Sequence, residues 1–206
     1  ATHAGISVGE DGATHQCCED IALMREIPGM VVINPCDDVE ARAAVKAAYE
    51  YVGPVYLRFG RLAVPVLNDE STYKFEIGKG VKLKDGKDIS IIATGLCVSE
   101  AVKAVDMLAA DGIDAEIINI HTIKPIDEDI IVETAQKTGR VFTVEEHSII
   151  GGLGSAVAEV LAEKCPTKLT RIGVRDTFGE SGPAKELLHK YELDAEGIYK
   201  QIKAAL

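Results

Sequence analysis

The residues best suited to chemistry lie within the first sixteen positions of the chain. His3, Glu10, Asp11 and His15 occur there together with three glycines and few apolar side chains. A neutral imidazole can donate and accept hydrogen bonds, and a carboxylate accepts them from hydroxyl groups. Glycine permits tight turns, so the segment is predicted to be a polar loop that carries a site on a rigid scaffold. By composition alone, the run Gly-Glu-Asp-Gly is also typical of a solvated turn.

The order of these residues favours the site over the turn. Thr2-His3 precedes the run Gly9-Glu10-Asp11-Gly12-Ala13-Thr14-His15-Gln16, and together they closely resemble the substrate-site motif of transketolases. The family usually has proline at the place of Ala13. Deoxyxylulose-phosphate synthases commonly carry a second histidine in place of Gln16, and the β-subunits of 2-oxo acid dehydrogenases lack the Gly-Glu-Asp-Gly run. The chain is therefore identified as a member of the transketolase family, with the synthase as the alternative enzyme.

The resemblance implies roles for four residues. His3 would contact the phosphate of the acceptor sugar, and Asp11 would accept a hydrogen bond from the C2 hydroxyl of the substrate. His15 would lie near the sugar hydroxyls and assist proton transfer, which makes it the catalytic candidate. Arg61 would bind the sugar phosphate, for which guanidinium geometry is well suited. Arg58 competes for this last role, and an ordinary surface arginine is the alternative interpretation of Arg61.

The resemblance also implies a cofactor that this chain does not hold by itself. Transketolases use thiamine diphosphate and a divalent metal, here magnesium, to move a two-carbon ketol unit between sugar phosphates, as in the pentose phosphate pathway. The family's cofactor-activating glutamate and the aromatic residues around the pyrimidine ring precede the motif, and another domain holds the diphosphate and the metal. No cofactor or metal ligand is therefore expected among residues 1–206.

The chain begins at Ala1, and no predicted strand precedes the site loop. We therefore expect the C-terminal part of a longer polypeptide, or a subunit of a split transketolase. By this interpretation the isolated chain is inactive, its partner is the N-terminal portion or subunit, and the complete enzyme is a dimer. A non-catalytic subunit or interaction module that retains the fold is the alternative outside enzymes.

Composition limits the other partners. The net charge is −11, which disfavours nucleic acids and anionic membranes because both attract basic surfaces. The five cysteines are scattered without a Cys-x-x-Cys spacing, which is typical of reduced thiols in the cytoplasm. No apolar run approaches the roughly 18 residues that a membrane-spanning helix needs.

Hydrophobic periodicity predicts an α/β fold. Strands are predicted at 30–35 and 55–59, with a helix between them that begins after Asp37. From Asp88 onward, strands and helices alternate, which predicts a parallel sheet with helices on both sides, a three-layer α/β/α domain. The proposed division is a partial pyrimidine-binding domain at 1–68, a linker or edge hairpin at 69–87, and a C-terminal domain at 88–206.

Several other features are predicted to be structural. The helix after Asp37 is expected to bury a face that includes Val45 and Tyr49. The glycine run 151–154 precedes a helix and is expected to allow close packing, with an anion-binding turn as the minor alternative. His121 and His147 are expected to be hydrogen-bonded structural groups at strand ends, and Cys17-Cys18 have no visible activating partner. The helix after the glycine run is predicted to bury one face. Asp127 and Asp194 are each predicted to cap the helix that follows.

Overall fold

The computed structural model describes residues 3–206. A short 3₁₀ helix, Ile6–Asp11, begins the described chain. The helices are α1 (Asp20–Glu26), α2 (Asp38–Glu50), α3 (Cys97–Ala110), α4 (Glu128–Thr138), α5 (Leu153–Lys164), α6 (Ala184–Lys190) and α7 (Ala195–Ala205). The strands are β1 (Val31–Ile33), β2 (Val55–Leu57), β3 (Val81–Lys84), β4 (Ile89–Ala93), β5 (Ala115–Asn119), β6 (Thr122–Lys124), β7 (Arg140–Ser148) and β8 (Lys168–Val174). Among the described residues, no helix is long and apolar enough to cross a membrane.

The larger sheet has five strands in the order β3-β5-β4-β7-β8. Strands β5, β4, β7 and β8 are parallel to one another, and β3 pairs antiparallel with β5 at the edge. All five residues of β4 and of β5 are buried, as expected for strands covered on both sides. The predicted parallel sheet is therefore confirmed.

Helices cover both sides of this sheet. Ile89 and Ile91 of β4 pack with α3 and α7 on one side, whereas Ile92, the next residue of the strand, packs with α4 and α5 on the other. This alternation follows from the two-residue period of a strand. The result is the three-layer α/β/α arrangement that the periodicity predicts.

The smaller sheet contains strands from both parts of the chain. β1 is parallel to β2 and antiparallel to β6, which gives the order β2-β1-β6. The sequence prediction missed β6, because three residues within a run of connecting residues give too short a pattern to recognise. Residues 122–124 thus join the sheet of the N-terminal part to the C-terminal part.

The segment 69–87 contains one strand. Val81–Lys84 forms the edge strand β3, so the edge strand rather than the hairpin is observed. Earlier in the same segment, Phe75 and Ile77 pack against the small sheet. The segment therefore supplies an edge strand to the larger sheet and packs against the smaller one.

Helix α2 differs from its prediction. The side chain of Asp37 accepts a hydrogen bond from Glu40 N, as the capping pattern predicts. However, Val45 is 48% exposed and Tyr49 is 91% exposed, whereas Glu40 is fully buried. Glu40 accepts hydrogen bonds from Asn119 Nδ2 and Cys36 N, which compensate its burial. Ala44 of the predicted face is fully buried, so the prediction holds at Ala44 and fails at Val45, Tyr49 and Glu40.

Candidate functional site

The predicted loop folds as the 3₁₀ turn Ile6–Asp11 between two anchored ends. At its start, Ala4 N donates to Phe59 O at 2.9 Å, and His3 forms an isolated parallel bridge with Phe59. The two ends of the loop meet where Gly5 N donates to Cys17 O at 2.8 Å. Thr2, which belongs to the predicted motif, lies outside the described residues. The loop is thus attached to the chain that follows β2, which leads directly to Arg61.

Asp11 and Arg61, predicted as separate substrate ligands, are brought together. Arg61 Nη1 lies 2.6 Å from Asp11 Oδ2 and also donates to Val8 O at 2.9 Å. Their side chains are 43% and 46% exposed. An ion pair at this exposure contributes little to stability, so both groups are available to a ligand at modest energetic cost.

The two predicted histidines lie at the surface of the same loop. His15 Nδ1 is 3.0 Å from Thr14 Oγ1, and His3 lies at the bridge to Phe59. Both residues are exposed, as is Glu10. Glu10 is held through its backbone, since Ser181 Oγ donates to Glu10 O at 2.5 Å. The structure therefore places all four candidates on one loop and the adjoining strand end.

Arg58, the competitor of Arg61, is buried, and its Nε and Nη2 are hydrogen-bonded within the protein. It is 2% exposed, and it donates to both carboxylate oxygens of Asp20, at 2.8 and 3.2 Å. Its Nη2 also donates to Cys17 O and to Glu146 O. Asp20 lowers the cost of burying this charge, and Arg58 in turn helps to hold the pKa of Asp20 below its usual value although burial opposes this. The role of Arg58 is structural in this arrangement.

Gln16 lies at the inner side of the loop. Its Nε2 donates to Ile6 O, Gly9 O and Glu180 O, at 3.1, 3.3 and 2.8 Å, and the residue is 8% exposed. By the resemblance described above, the residue at this position distinguishes transketolases from deoxyxylulose-phosphate synthases. In the fold, its amide joins the loop to the segment before α6, away from the exposed side chains of Asp11 and His15.

Strand β7 continues beyond Val144 with Glu145, Glu146 and His147 before it ends at Ser148. Glu145, Glu146 and His147 are all buried. Burial raises the pKa of Glu145 to about 7 and raises that of Glu146, and it lowers the pKa of His147 to about 4. The sequence analysis missed both glutamates. Three consecutive polar residues at the end of an apolar strand are the signal that would have indicated them.

Glu145 explains the glycine run 151–154. Its carboxylate accepts hydrogen bonds from Leu153 N at 2.7 Å and Gly154 N at 2.8 Å. The N-terminus of α5, which could attract a phosphate, is therefore occupied by an internal carboxylate. A side chain at Gly152 would lie 2.1 Å from Glu145 Oε2. Close packing, the main prediction for this run, is what the structure has.

The remaining candidates are structural as well. His121 is 1% exposed, with Nδ1 at 2.9 Å from Thr122 Oγ1 and its ring against Phe75. Burial raises the pKa of Cys18 to about 12 and also raises that of Cys17, which disfavours the reactive thiolates. Within residues 3–206, no group of three or more His, Cys, Asp or Glu side chains has the arrangement of a metal site.

Comparison with known proteins identifies two family domains. Residues 1–66 match the description "Transketolase, pyrimidine binding domain", and residues 78–198 match "Transketolase, C-terminal domain". A provisionally assigned transketolase C-terminal section of Methanocaldococcus jannaschii is 54% identical, over 98% of this chain and 64% of that protein. A 1-deoxy-D-xylulose-5-phosphate synthase of Heliobacterium modesticaldum is 39% identical, over 96% of this chain and 31% of that protein.

One solved structure has nearly the same fold. It is described as a split gene transketolase in an inactive beta4 tetramer, and it has 48% sequence identity with a TM-score of 0.92. The match covers 100% of this chain and 65% of that one. The chain thus spans less than two thirds of each of these proteins.

Proposed function

The chain belongs to the transketolase family, whose members depend on thiamine diphosphate, and we propose that it forms the C-terminal part of an enzyme that transfers a two-carbon ketol unit between sugar phosphates. The observation that carries this proposal is the exposed pair of Asp11 and Arg61, which combines a carboxylate for a hydroxyl with a guanidinium for a phosphate. The partner is the N-terminal portion or subunit of the transketolase, and the complete enzyme is a dimer.

Arg61 is the phosphate ligand in this proposal. Among the described residues, both of its hydrogen bonds to the protein are made by Nη1, which leaves Nε and Nη2 as donors. Two N–H groups of one guanidinium can bind two oxygens of a phosphate. Arg58 is a poor candidate, because a buried guanidinium with four acceptors would have to leave Asp20 uncompensated in order to reach a substrate.

Asp11 reads a hydroxyl group of the sugar. Its carboxylate accepts from Arg61 and has further lone pairs for a C2 hydroxyl. His15 lies four residues later on the exposed side of the loop, where its imidazole can exchange a proton with the sugar hydroxyls. His3, next to Phe59, adds a donor for the phosphate. These residues bind and orient the sugar, and the bound thiamine diphosphate supplies the carbanion that carries the two-carbon unit.

The cofactor and its magnesium ion belong to the partner portion in this proposal. No step of the reaction is therefore assigned to a metal ligand of this chain. We infer that the isolated chain is inactive until the partner portion is added. The related split gene transketolase is described as an inactive beta4 tetramer, which supports this inference for the present chain.

The test is two-carbon transfer from xylulose 5-phosphate to ribose 5-phosphate, measured as sedoheptulose phosphate formation. The assay contains the chain with its N-terminal portion, thiamine diphosphate and magnesium. Arg61→Ala is expected to raise the KM for the acceptor roughly 10- to 100-fold, because a hydrogen-bonded charge contributes about 1.5–3 kcal/mol. Asp11→Ala is expected to lower kcat/KM for substrates with the natural C2 configuration. Arg42→Ala removes an exposed arginine of α2 and serves as the control with unchanged kinetics.

Deoxyxylulose-phosphate synthase is the second candidate, favoured by the 39% identity to that enzyme. The same complete assembly is assayed for decarboxylating condensation of pyruvate with glyceraldehyde 3-phosphate. Absence of two-carbon transfer with confirmed cofactor binding, together with this condensation, would replace the first proposal. Absence of both activities would favour the non-catalytic interaction module.

A further inference from the structure

Glu146 of strand β7 contacts the site loop directly, although 139 residues separate them in the sequence. Ser7 N donates to Glu146 Oε1 at 2.5 Å, and this bond is buried. Glu146 is 3% exposed. A buried carboxylate that accepts a backbone N–H forms a charge-assisted bond, about twice as strong as a neutral one. The C-terminal part of the chain therefore holds the loop at its second turn residue.

The residues that close the loop lie against the same part of strand β7 as Ser7. Arg58 Nη2 donates both to Cys17 O, where the loop closes on Gly5, and to Glu146 O at 2.9 Å. Two residues further along β7, Ser148 N donates to Cys18 O at 2.7 Å. The main chain and the side chain of Glu146 are thus both used to fix the loop.

Gly5 shows how closely the loop approaches this carboxylate. A Cβ atom built at Gly5 would lie 2.3 Å from Glu146 Cδ, much closer than two such carbon atoms can approach. Gly5 also has a φ of 79° and a ψ of −177°, a conformation that essentially only glycine adopts. The backbone at Gly5 therefore lies directly against the carboxylate.

The contact between Ser7 and Glu146 lies one residue before Val8, whose carbonyl oxygen accepts a hydrogen bond from Arg61. Ser7 and Val8 lie on the same side of a kink at Gly9 (φ 82°, ψ −120°), which divides the segment Ile6–Asp11 and separates them from Asp11. Arg61 Nη1 donates to Val8 O and to Asp11 Oδ2. If the first part of the turn moved away from Glu146, Val8 O, one of the two acceptors of Arg61, would move with it. The position of Arg61 beside Asp11 therefore depends on the bond between Ser7 and Glu146 through Val8.

We propose that Glu146 is a positioning residue for the sugar-phosphate reaction: by accepting the Ser7 N–H, its carboxylate fixes the turn that presents Asp11 and Arg61 to the substrate. This inference rests on the proposed function and assigns the C-terminal part of the chain an indirect part in substrate binding. Glu146 does not touch the substrate and acts through the turn.

A pair of variants separates the acceptor atom from the volume of the side chain. Glu146→Met keeps an unbranched chain of similar size and removes the acceptor, whereas Glu146→Gln keeps an oxygen at the same distance. In the complete enzyme with its cofactor, Glu146→Met is expected to raise the KM for ribose 5-phosphate about 10-fold, with kcat within about twofold of the wild-type value. Glu146→Gln is expected to restore KM to within about threefold of wild type.

Glu145→Gln is the matched control. It replaces an equally buried carboxylate of the same strand, which bonds α5 rather than the loop. It is expected to change the stability and leave the KM unchanged. A purely structural role of Glu146 would lower the active fraction, so that kcat falls at constant KM. That result, or an equal rise in KM for Glu145→Gln, would overturn the proposal.

Amide hydrogen exchange tests the positioning without any assay of activity. With the chain assembled in the complete protein, Glu146→Met is expected to speed exchange about 10-fold or more in residues 5–17 and little in α5. If Glu146→Met does not fold, Glu146→Gln decides, with an expected increase of about threefold in the same segment. Unchanged protection of residues 5–17 would overturn the proposal. Faster loop exchange in a protein that lacks two-carbon transfer would refute only the proposed function.

Discussion

Arg58 and Arg61 lie three residues apart and have opposite surroundings. We call Arg58, Asp20 and Glu146 the buried anchor, and Asp11 with Arg61 the exposed pair. Each contains an arginine–aspartate ion pair, with a shortest N–O distance of 2.8 Å in the anchor and 2.6 Å in the pair. The arginine and aspartate of the anchor are 3% and 4% exposed, whereas those of the pair are nearly half exposed. Burial, not residue type or distance, separates the group that holds the loop from the group that is available to a ligand.

The largest expected difference is in stability after loss of each arginine. Arg58→Ala leaves Asp20 buried without its cation, which costs roughly 3–5 kcal/mol. Arg61→Ala breaks a half-exposed ion pair and costs about 0–1 kcal/mol. Urea denaturation of both variants measures the two free energies of unfolding. Equal losses would show that the division into anchor and pair is wrong.

Two glycines with positive φ provide the next comparison. Gly5 lies against Glu146, whereas a Cβ atom at Gly29 would meet nothing within 4 Å. Alanine is disfavoured by the backbone at both positions, by about 1–3 kcal/mol, and overpacking adds about 1–3 kcal/mol at Gly5 alone. Gly5→Ala should therefore destabilise the fold more than Gly29→Ala in thermal or urea unfolding. Similar losses would mean that the loop can move away from Glu146 without cost.

The adjacent residues His15 and Gln16 allow the exposed and the buried side of the loop to be compared. Gln16→Ala removes the donor to three backbone carbonyls and is expected to cost about 1–3 kcal/mol. His15→Ala changes an exposed side chain and should alter stability by less than about 0.5 kcal/mol, while it lowers kcat of the complete enzyme. Unfolding curves and steady-state kinetics of both variants give the answer. A stability loss at His15 as large as at Gln16 would contradict the assignment.

The smallest expected effect is the net pH dependence of wild-type stability, because two buried groups contribute to it with opposite signs. The raised pKa of Glu145, about 7 against an ordinary 4.5, means that the native state retains a proton which the unfolded chain has released, so stability falls as pH rises between these values. The lowered pKa of His147, about 4 against 6.5, has the opposite effect, and stability rises with pH between those values. The two contributions oppose each other over their common interval.

Single substitutions separate these contributions. The stability of Glu145→Gln relative to wild type should rise with pH between about 4.5 and 7, because the variant lacks the falling contribution. The relative stability of His147→Asn should fall with pH between about 4 and 6.5. Urea midpoints measured across this range provide the test. Parallel curves for wild type and both variants would show that neither group titrates with a shifted pKa.

The amino-acid sequence by itself determined the fold class and the position of the loop. The alternating strand and helix patterns from Asp88 onward required a parallel sheet, because apolar residues at these periods can be buried only between layers. The caps at Asp127 and Asp194 fixed two helix starts, since the local hydrogen bonds of a cap need no distant partner. The motif of residues 9–16 likewise identified the family from local order alone.

Tertiary structure alone decided which charged groups are buried. In the hydrophobic pattern, Arg58, Glu40 and Glu146 are polar positions that would be expected at the surface. Each is buried because a partner distant in the sequence compensates the cost of burying its charge. Hydrophobic periodicity contains no information about such partners. For the same reason the sequence could not bring Asp11 to Arg61, 50 residues later, or Ser7 to Glu146. These contacts exist only in the folded chain.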